Sequence, residues 1–204
     1  MGFYSDRVLP VLVDLSMRNK LLRPFRERVA AAAEGRVLDV GIGPGLNLPL
    51  YGRGASEIIG LEPSGPLLMR ARKNAGLAHA SVQLIEASAE AIPLDDRSID
   101  TVVMTWTGCS IPDILSALTE MRRVLRPAGR LLFVEHGRSP EARVELWQDR
   151  LTPIWRRLSG GCHLNRKTDE LVEASGFTIE RLETGYIRGP KIMTFLYEGS
   201  ARPR

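Results

Sequence analysis

The sequence predicts an α/β fold built on an open, mostly parallel sheet. Two short apolar runs, Val37–Val40 and Glu57–Leu61, are typical of buried strands, and a glycine-rich turn, Gly41–Gly45, follows the first of them. A helix-length segment is expected between that turn and the second strand. A further run, Ile99–Thr105, is almost continuously apolar, as a parallel strand covered on both faces should be.

Residues 1–34 are expected to form a helical cap, and residues 35–199 the main domain. A partial helical stripe supports the first helix, made of Val8, Leu9, Leu12, Leu15 and Met17. A second helix is expected from Pro24 to Ala33, ended by Gly35. The cap could pack on the sheet, close over a ligand, or lie on a membrane surface as an amphipathic helix.

Composition favours a soluble globular protein of one domain. The 204 residues are 44% hydrophobic and 25% charged, and the net charge of +4 is scattered rather than concentrated in a stripe, so nucleic-acid binding is not expected. Two cysteines are too few for a disulfide framework or a cysteine-rich zinc site, and no metal is expected. Without a signal peptide or an apolar run of about 18 residues, a cytoplasmic location is expected. Peripheral membrane contact and the oligomeric state stay open.

The glycine-rich turn has the spacing of one kind of cofactor site. Its glycines run G-x-G-x-G, whereas a dinucleotide site requires G-x-G-x-x-G with a pyrophosphate at the helix N-terminus. Asp39 lies two residues before the first glycine, where it would repel a pyrophosphate but accept hydrogen bonds from an ammonium. Glu62, about 20 residues further on, can accept from two ribose hydroxyls.

This pattern resembles motif I of the class I S-adenosylmethionine (SAM) methyltransferases. The resemblance implies a Rossmann-like, seven-stranded, mostly parallel sheet with an antiparallel last strand, and a product S-adenosyl-L-homocysteine. It also implies that Asp39 and the backbone of Gly41, Gly43 and Gly45 hold the methionine part of the cofactor, and that Glu62 holds the ribose. Pro44 replaces the usual Ser or Thr, so we expect the loop to keep its shape with one hydrogen bond fewer.

Two further segments are expected to face the cofactor. Ala87–Pro93 is similar to the stretch that cradles adenine in that family, with Ser88 as a weak acceptor in place of Asp and Ala89 as a backbone donor. Ligands in open α/β sheets lie beyond the carboxyl ends of strands, so Thr105 and the residues after it should line the pocket. Trp106 could stack near the sulfonium or the substrate, or simply pack. Cys109 is interpreted as a small buried hydrophobe.

The fifth strand ends in a second candidate site. A helix is expected from Pro112 to Leu125, then a break at residues 126–129 and a strand from Arg130 to Glu135. His136 follows directly and is a candidate base or substrate contact, because its pKa lies near neutrality. The alternative is a hydrogen-bonded loop histidine.

The last third of the chain is expected to hold an insertion and a hairpin. A long helix from Pro140 to Leu158, broken near Pro153, leads into the insertion Gly160–Arg166. Cys162 and His163 alone provide too few ligands for a metal. Two strands, Phe177–Leu182 and Lys191–Tyr197, should close the sheet, and residues 200–204 should form a loose tail.

Three segments together carry a closer resemblance. GIGPGLNLPLY, the CSI after the fourth strand, and EHG with the later GGCHLNR are similar to the small "type 11" methyltransferases that include thiol methyltransferases. This resemblance implies a small-molecule acceptor, with a thiol suggested and a quinone or phospholipid as alternatives. His136 or His163 would then lower the pKa of a thiol or take its proton, and Cys162 would lie in the substrate pocket.

Two alternatives belong to other functional classes. An NAD-dependent oxidoreductase on a related fold would need a third-glycine spacing that the loop lacks. A catalytically silent SAM-binding protein would keep the loop and the acid but transfer nothing.

Overall fold

A computed structural model describes residues 3–204, and within them seven strands form a single sheet. The strands are β1 (Gly35–Val40), β2 (Ala55–Leu61), β3 (Ser81–Ile85), β4 (Ile99–Thr105), β5 (Leu125–His136), β6 (Phe177–Tyr186) and β7 (Phe195–Pro203). Their order across the sheet is β3-β2-β1-β4-β5-β7-β6. β1 to β5 pair in parallel, and β7 lies antiparallel between β5 and β6. The predicted fold class, with its antiparallel last strand, is confirmed.

The chain order reverses at the centre of this sheet, and the reversal places the site. β1 pairs with β2 on one side and with β4 on the other. Loops from the carboxyl ends of β1 and β4 therefore leave in opposite directions and open a crevice between them. Asp39, near the end of β1, and Thr105, at the end of β4, both lie at this crevice.

Helices cover both faces of the sheet. They are α1 (Leu9–Met17), α2 (Arg23–Ala31), α3 (Gly65–Asn74), α4 (Ile114–Val124), α5 (Ala142–Leu158), α6 (Thr168–Ala174) and α7 (Lys191–Thr194). Residues of β1 alternate between two apolar cores: Leu38 and Val40 pack with α4, whereas Val37 packs with Val29 of α2. Because both faces are buried, the central strands are continuously apolar. No helix in the described residues is long and apolar enough to cross a membrane.

The N-terminal helices are attached to the sheet domain by charged contacts. Asp14 on α1 forms an ion pair with Arg70 on α3, with 2.7 Å between Oδ2 and Nη1. Arg28 on α2 forms a bidentate pair with Glu198 on β7, at 2.8 and 2.6 Å. The second helix ends at Ala31, and Gly35 begins β1 instead of ending that helix. The division into a cap, residues 1–34, and a main domain, residues 35–199, stays a prediction.

Two expectations about helices are wrong. The segment after the glycine loop forms only a three-residue helical turn, Leu48–Leu50, because the backbone of Tyr51 is already extended, with φ −63° and ψ 129°. In contrast, α5 continues through Pro153 to Leu158. Pro153 lies on the exposed face, where water can satisfy the carbonyl that loses its N–H partner.

Three other boundaries also differ from expectation. The helix α4 ends at Val124, before residues 126–129, as expected, but these residues form a bulge within β5, where the pairing with β4 shifts from Leu125 to Arg130. Residues 191–194 are helical, and the expected loose tail is part of β7, in which Ala201 pairs with Leu131 and is fully buried. A single small apolar residue between Ser200 and Arg202 was too weak a signal for a strand.

Candidate functional site

The loop after β1 requires its glycines. Gly41, Gly43 and Gly45 have φ angles of +65°, +55° and +79°, a region that side chains with a Cβ rarely adopt. A Cβ at Gly41 would lie 2.3 Å from the Thr107 side chain. Beside Gly43, in contrast, the nearest atom to such a Cβ is 3.9 Å away. The loop is therefore tight at Gly41 and open at Gly43, where a ligand can approach the backbone.

Glu62 holds this loop in shape. Its Oε2 accepts a hydrogen bond from the Gly43 N–H at 3.0 Å, and its Oε1 accepts one from the Ser64 N–H at 2.9 Å. Burial raises the pKa of Glu62, and the two backbone donors oppose that rise. Each oxygen keeps a second lone pair, so the carboxylate can still accept from a ligand.

Asp39 lies in a buried polar network that also includes Thr105. Nδ2 of Asn47 donates to Asp39 Oδ2 and to Thr105 Oγ1, both at 3.1 Å. Nη1 of Arg26 donates to Asn47 Oδ1 at 3.0 Å. Burial raises the pKa of Asp39 to about 6, and the neighbouring Tyr51 hydroxyl, Asn47 and Arg26 limit the rise. At pH 7 this carboxyl group is therefore mainly ionised, in a site that already contains one cation.

Arg26 and Asn47 are functional candidates that sequence reasoning missed. Arg26 lies on α2, is 7% exposed, and places its guanidinium 4.7 Å from the centre of the Trp106 ring. Its Nε is buried and has no hydrogen-bond partner in residues 3–204. Asn47 is a polar residue inside the apolar run LNLPLY, and this pattern could have indicated a functional role. Nothing in the sequence distinguishes Arg26 from the other arginines of α2.

The predicted adenine segment is an irregular loop between β3 and β4. Ala89 is 7% exposed, and the Ser88 hydroxyl accepts a hydrogen bond from the Glu90 N–H at 3.2 Å. The same hydroxyl donates to the Glu90 carboxylate at 3.1 Å. Their roles toward adenine stay predictions.

The turn after β4 is strained at its first residue and fixed by one carboxylate. Trp106 has a φ of +50°, which is costly for an aromatic residue and is typical of functional sites. Buried Glu135, on β5, accepts hydrogen bonds from the N–H groups of Thr107, Gly108 and Cys109 at 2.8, 2.8 and 3.3 Å. Thr107 Oγ1 in turn donates to the Gly41 carbonyl at 3.2 Å, so this turn contacts the glycine loop.

Three side chains that lie far apart in the sequence come together at this edge of the sheet. The Sγ atoms of Cys109 and Cys162 and a ring nitrogen of His136 all lie within 4.8 Å of one another. We call these three residues the sulfur–histidine cluster. His136 Nε2 is 3.1 Å from Cys162 Sγ, whereas the buried Nδ1 has no hydrogen-bond partner in the described part of the chain. The contact with Cys109, together with burial, raises the pKa of the Cys162 thiol far above its ordinary value.

His163 lies beside this cluster but is not a member of it. Its backbone N–H donates to the Cys109 carbonyl at 2.8 Å, and its ring Nδ1 is 3.0 Å from the same oxygen. Burial lowers the pKa of His163, and Arg166 lowers it further, so the ring is neutral at pH 7. With Nδ1–H donating to the carbonyl, Nε2 remains as an acceptor.

Comparison with known proteins agrees with this geometry. A family model described as a methyltransferase domain matches residues 38–133. The chain is 31% identical over 174 residues to the thiol S-methyltransferase TMT1B of Rattus norvegicus, which covers 82% of this chain and 70% of that protein. It is 32% identical over 176 residues to the demethylmenaquinone methyltransferase of Thermus thermophilus, covering 83% and 78%. The structure of a S-adenosylmethionine dependent methyltransferase from Mesorhizobium loti has a TM-score of 0.68 at 20% identity, covering 91% of this chain and 99% of that one.

Proposed function

We propose that this chain, which belongs to the SAM-dependent methyltransferase family, transfers the methyl group of SAM to the sulfur of a small thiol. One observation carries the choice of a thiol. The segments that resemble thiol methyltransferases, CSI, EHG and GGCHLNR, are distant in sequence, yet each supplies one residue to the sulfur–histidine cluster. Family membership sets aside the alternative of an NAD-dependent oxidoreductase.

The residues around the glycine loop fit the cofactor. SAM presents an ammonium, a carboxylate and two ribose hydroxyls, and when bound it supplies an activated methyl group. Buried Asp39 is a suitable acceptor for the ammonium, with the backbone of Gly41, Gly43 and Gly45 around it. Arg26, with its unpartnered Nε, would meet the carboxylate, and the free lone pairs of Glu62 would meet the ribose. This assignment adds Arg26 to the residues expected from sequence.

The remaining predicted residues have supporting roles in this proposal. Thr105 holds Asn47 beside Asp39, and Ser88 and Ala89 would border adenine. Trp106, whose ring lies against the Arg26 guanidinium, would form a wall between cofactor and acceptor.

The acceptor side needs to position a sulfur and to accept its proton. Alignment of the sulfur with the methyl carbon can contribute about 7–11 kcal/mol to lowering the barrier. A thiol with a pKa near 8.5 is only partly ionised at neutral pH. His136 at the cluster and His163 with its free Nε2 are both placed to assist ionisation, and Cys162 would border the acceptor. Because both cysteines are unpaired in the structure, a reducing compartment such as the cytoplasm suits the enzyme.

A matched pair of acceptors tests the proposal. An aryl thiol and the phenol of the same shape are each incubated with the protein and SAM, and products are identified by mass spectrometry. We expect an S-methyl product from the thiol at a kcat/KM at least about 100-fold above that of the phenol, a difference of about 2.7 kcal/mol. Equal rates on both would contradict sulfur specificity.

A quinone acceptor is the second candidate. Its support is the similarity to the demethylmenaquinone methyltransferase of Thermus thermophilus, at 32% identity against 31% for the thiol enzyme. A demethylated naphthoquinol in the same assay distinguishes the two. Methylation of the quinol at carbon, without methylation of the thiol, would replace the first proposal by the second.

A further inference from the structure

We propose that Cys109, His136 and Cys162 are the three protein ligands of a Zn²⁺ ion whose fourth position takes the sulfur of the acceptor. The second half of this inference rests on the proposed thiol methyltransferase function, whereas the metal site itself stands on the geometry of the cluster. It revises the expectation of no metal, which rested on the count of two cysteines and on Cys162 and His163 as neighbouring ligands.

The donor atoms are those that zinc prefers. Two thiolate sulfurs and one imidazole nitrogen form a common ligand set for a catalytic zinc ion, with bonds of about 2.3 Å to sulfur and about 2.0 Å to nitrogen. A tetrahedral ion with such bonds keeps its ligand atoms about 3.5–3.8 Å apart. The three ligand atoms here lie within 4.8 Å of one another, and His136 Nε2 is 3.1 Å from Cys162 Sγ. Side-chain shifts of about 1 Å would therefore complete the site.

The backbone around two of the ligands is rigid. Cys109 and His136 lie at the carboxyl ends of the neighbouring strands β4 and β5. The Glu135 carboxylate, which precedes His136 in the chain, binds the N–H groups of the whole turn Thr107–Cys109. The loop that contains Cys162 is hydrogen-bonded to this turn, since the His163 N–H donates to the Cys109 carbonyl at 2.8 Å. These hydrogen bonds hold in place the backbone of the turn and of the loop that carry Cys109 and Cys162.

Three ligands leave a zinc ion with one open position. In residues 3–204 the group of potential ligands at this place comprises these three residues and no fourth. Structural zinc sites are closed by four protein ligands, whereas catalytic sites keep one position for water or substrate. Cys162 is partly exposed, and the turn that carries Cys109 contacts the glycine loop through Thr107.

Methyl transfer to a thiol bound at this ion needs no reactant other than the thiol and SAM. An acceptor R–SH binds the ion and releases its proton to solvent, because a coordinated thiol is deprotonated. The sulfur then forms a bond to the methyl carbon while the bond between that carbon and the sulfonium sulfur breaks. The electron pair of the broken bond remains on the sulfur of S-adenosylhomocysteine. The methyl thioether, a weak ligand, then leaves the ion.

Metal binding by the full chain is the first test. The purified, chemically reduced and chelator-treated protein is titrated with Zn²⁺ against a chromogenic chelator, and separately with Co²⁺, whose thiolate charge-transfer and tetrahedral d–d bands report the ligands. We expect one ion per chain. Affinity should fall by more than about 100-fold in Cys109→Ser, in Cys162→Ser and in His136→Gln, because losing a ligand exceeds the effect of losing a supporting partner.

His79→Gln is the matched control, because this histidine is exposed and lies between α3 and β3, away from the cluster. We expect unchanged Zn²⁺ affinity in that variant. Absence of 1:1 binding in the wild type, or binding that survives all three ligand substitutions, would overturn the metal site. Circular dichroism of each variant confirms that a lost site is not lost folding.

Coordination of the acceptor is the second test. Adding an aryl thiol to the Co²⁺ protein, without SAM, should intensify the charge-transfer band, and the matching phenol should leave it unchanged. At pH 7, removal of the metal should lower methylation of an alkyl thiol with a pKa near 8.5 by up to about 30-fold, since only about 3% of such a thiol is ionised there. At pH 9 the loss should nearly vanish.

The two tests separate the two claims. Thiol methylation by a protein that binds no metal would overturn this inference and leave the proposed function standing. A metal site whose spectrum does not respond to thiols would overturn the role of the fourth position. Metal binding with methylation of another acceptor would overturn the thiol function while the site remains.

Discussion

The glycine loop and the sulfur–histidine cluster lie on the same edge of the sheet but are assembled over different lengths of chain. Around the loop, Asp39 and Asn47 are 8 residues apart, and Gly43 and Glu62 are 19 apart. These contacts belong to one strand–loop–strand unit. The cluster, in contrast, takes one residue each from the ends of β4 and β5 and one from a loop 26 residues beyond His136. The glycine loop is therefore mainly a local feature, to which Arg26 and Thr105 are added from elsewhere, whereas the sulfur–histidine cluster depends on long-range packing.

The largest expected effect separates the two regions by function. His136→Gln should lower thiol turnover by about 10²- to 10⁴-fold, the range for loss of a group that assists proton removal or holds the acceptor. SAM affinity, measured by calorimetry, should stay within about twofold, because His136 contacts Cys162 and not the glycine loop.

His79→Gln is the control for that substitution. His79 is exposed and lies between α3 and β3, away from both regions. Both turnover and SAM affinity should stay at wild-type values. Equal losses of SAM affinity and turnover in His136→Gln would break the proposed separation.

The second expected effect concerns the space around Gly41 in the glycine loop. Gly41→Ala should lower the free energy of unfolding by about 2–5 kcal/mol, because a Cβ at 2.3 Å from Thr107 adds a clash to an unfavourable φ of +65°. Gly76→Ala, where a Cβ meets no atom within 4 Å, should change it by less than about 0.5 kcal/mol. Denaturant titration measures both, and similar stabilities for the two variants would contradict the loop geometry.

The third effect is a pH dependence of stability in the cofactor-free protein. Burial raises the pKa of Asp39 from 3.8 to about 6, so folding favours its protonated form. The contribution of Asp39 to the free energy of unfolding is fully present below pH 3.8. It is lost as pH rises through about 6, and the total loss is about 3 kcal/mol.

The measurement is the difference between the wild type and Asp39→Asn in denaturant titrations from pH 4 to pH 7.5. The wild type should lose stability relative to the variant across that window. Parallel curves would mean that Asp39 ionises in the folded protein as easily as in water.

The smallest effect concerns cofactor affinity. Asp39→Asn should weaken SAM binding about 10- to 100-fold at pH 8, the value of one hydrogen bond between charged groups. The rate of thiol methylation at saturating SAM should change much less. Binding is measured by calorimetry, and an unchanged dissociation constant would remove Asp39 from the proposed ammonium site.

The sequence predicted the geometry of the glycine loop far better than that of the sulfur–histidine cluster, and the reason is physical. A strand followed by glycines and an acid at the end of the next strand are local signals, so the residue pattern alone was enough to place Asp39, Gly41 and Glu62. Thr105 was placed by the rule that ligands lie beyond strand ends. The same rule placed Cys109 and His136 at one edge. It could not show that the loop after α5 returns to bring Cys162 between them.

The errors in the fold have related causes. Proline alone predicted a break in α5, but the exposed position of Pro153 makes the lost hydrogen bond tolerable. Ser200–Pro203 contains too few apolar residues to predict a strand, yet pairing with β5 and β6 on both sides makes it one. Arg26 gave no signal at all, because a buried arginine differs from an exposed one only through its tertiary contacts.

One competition experiment tests the central claim most directly. An aryl thiol, its phenol, a demethylated naphthoquinol and phosphatidylethanolamine vesicles are mixed in one tube with the protein and labelled SAM, and the label in each product is counted. We predict that nearly all label appears in the methyl thioether, and that His136→Gln reduces that product selectively. Label in the quinol or the lipid, with the thiol unlabelled, would contradict the account of the acceptor region.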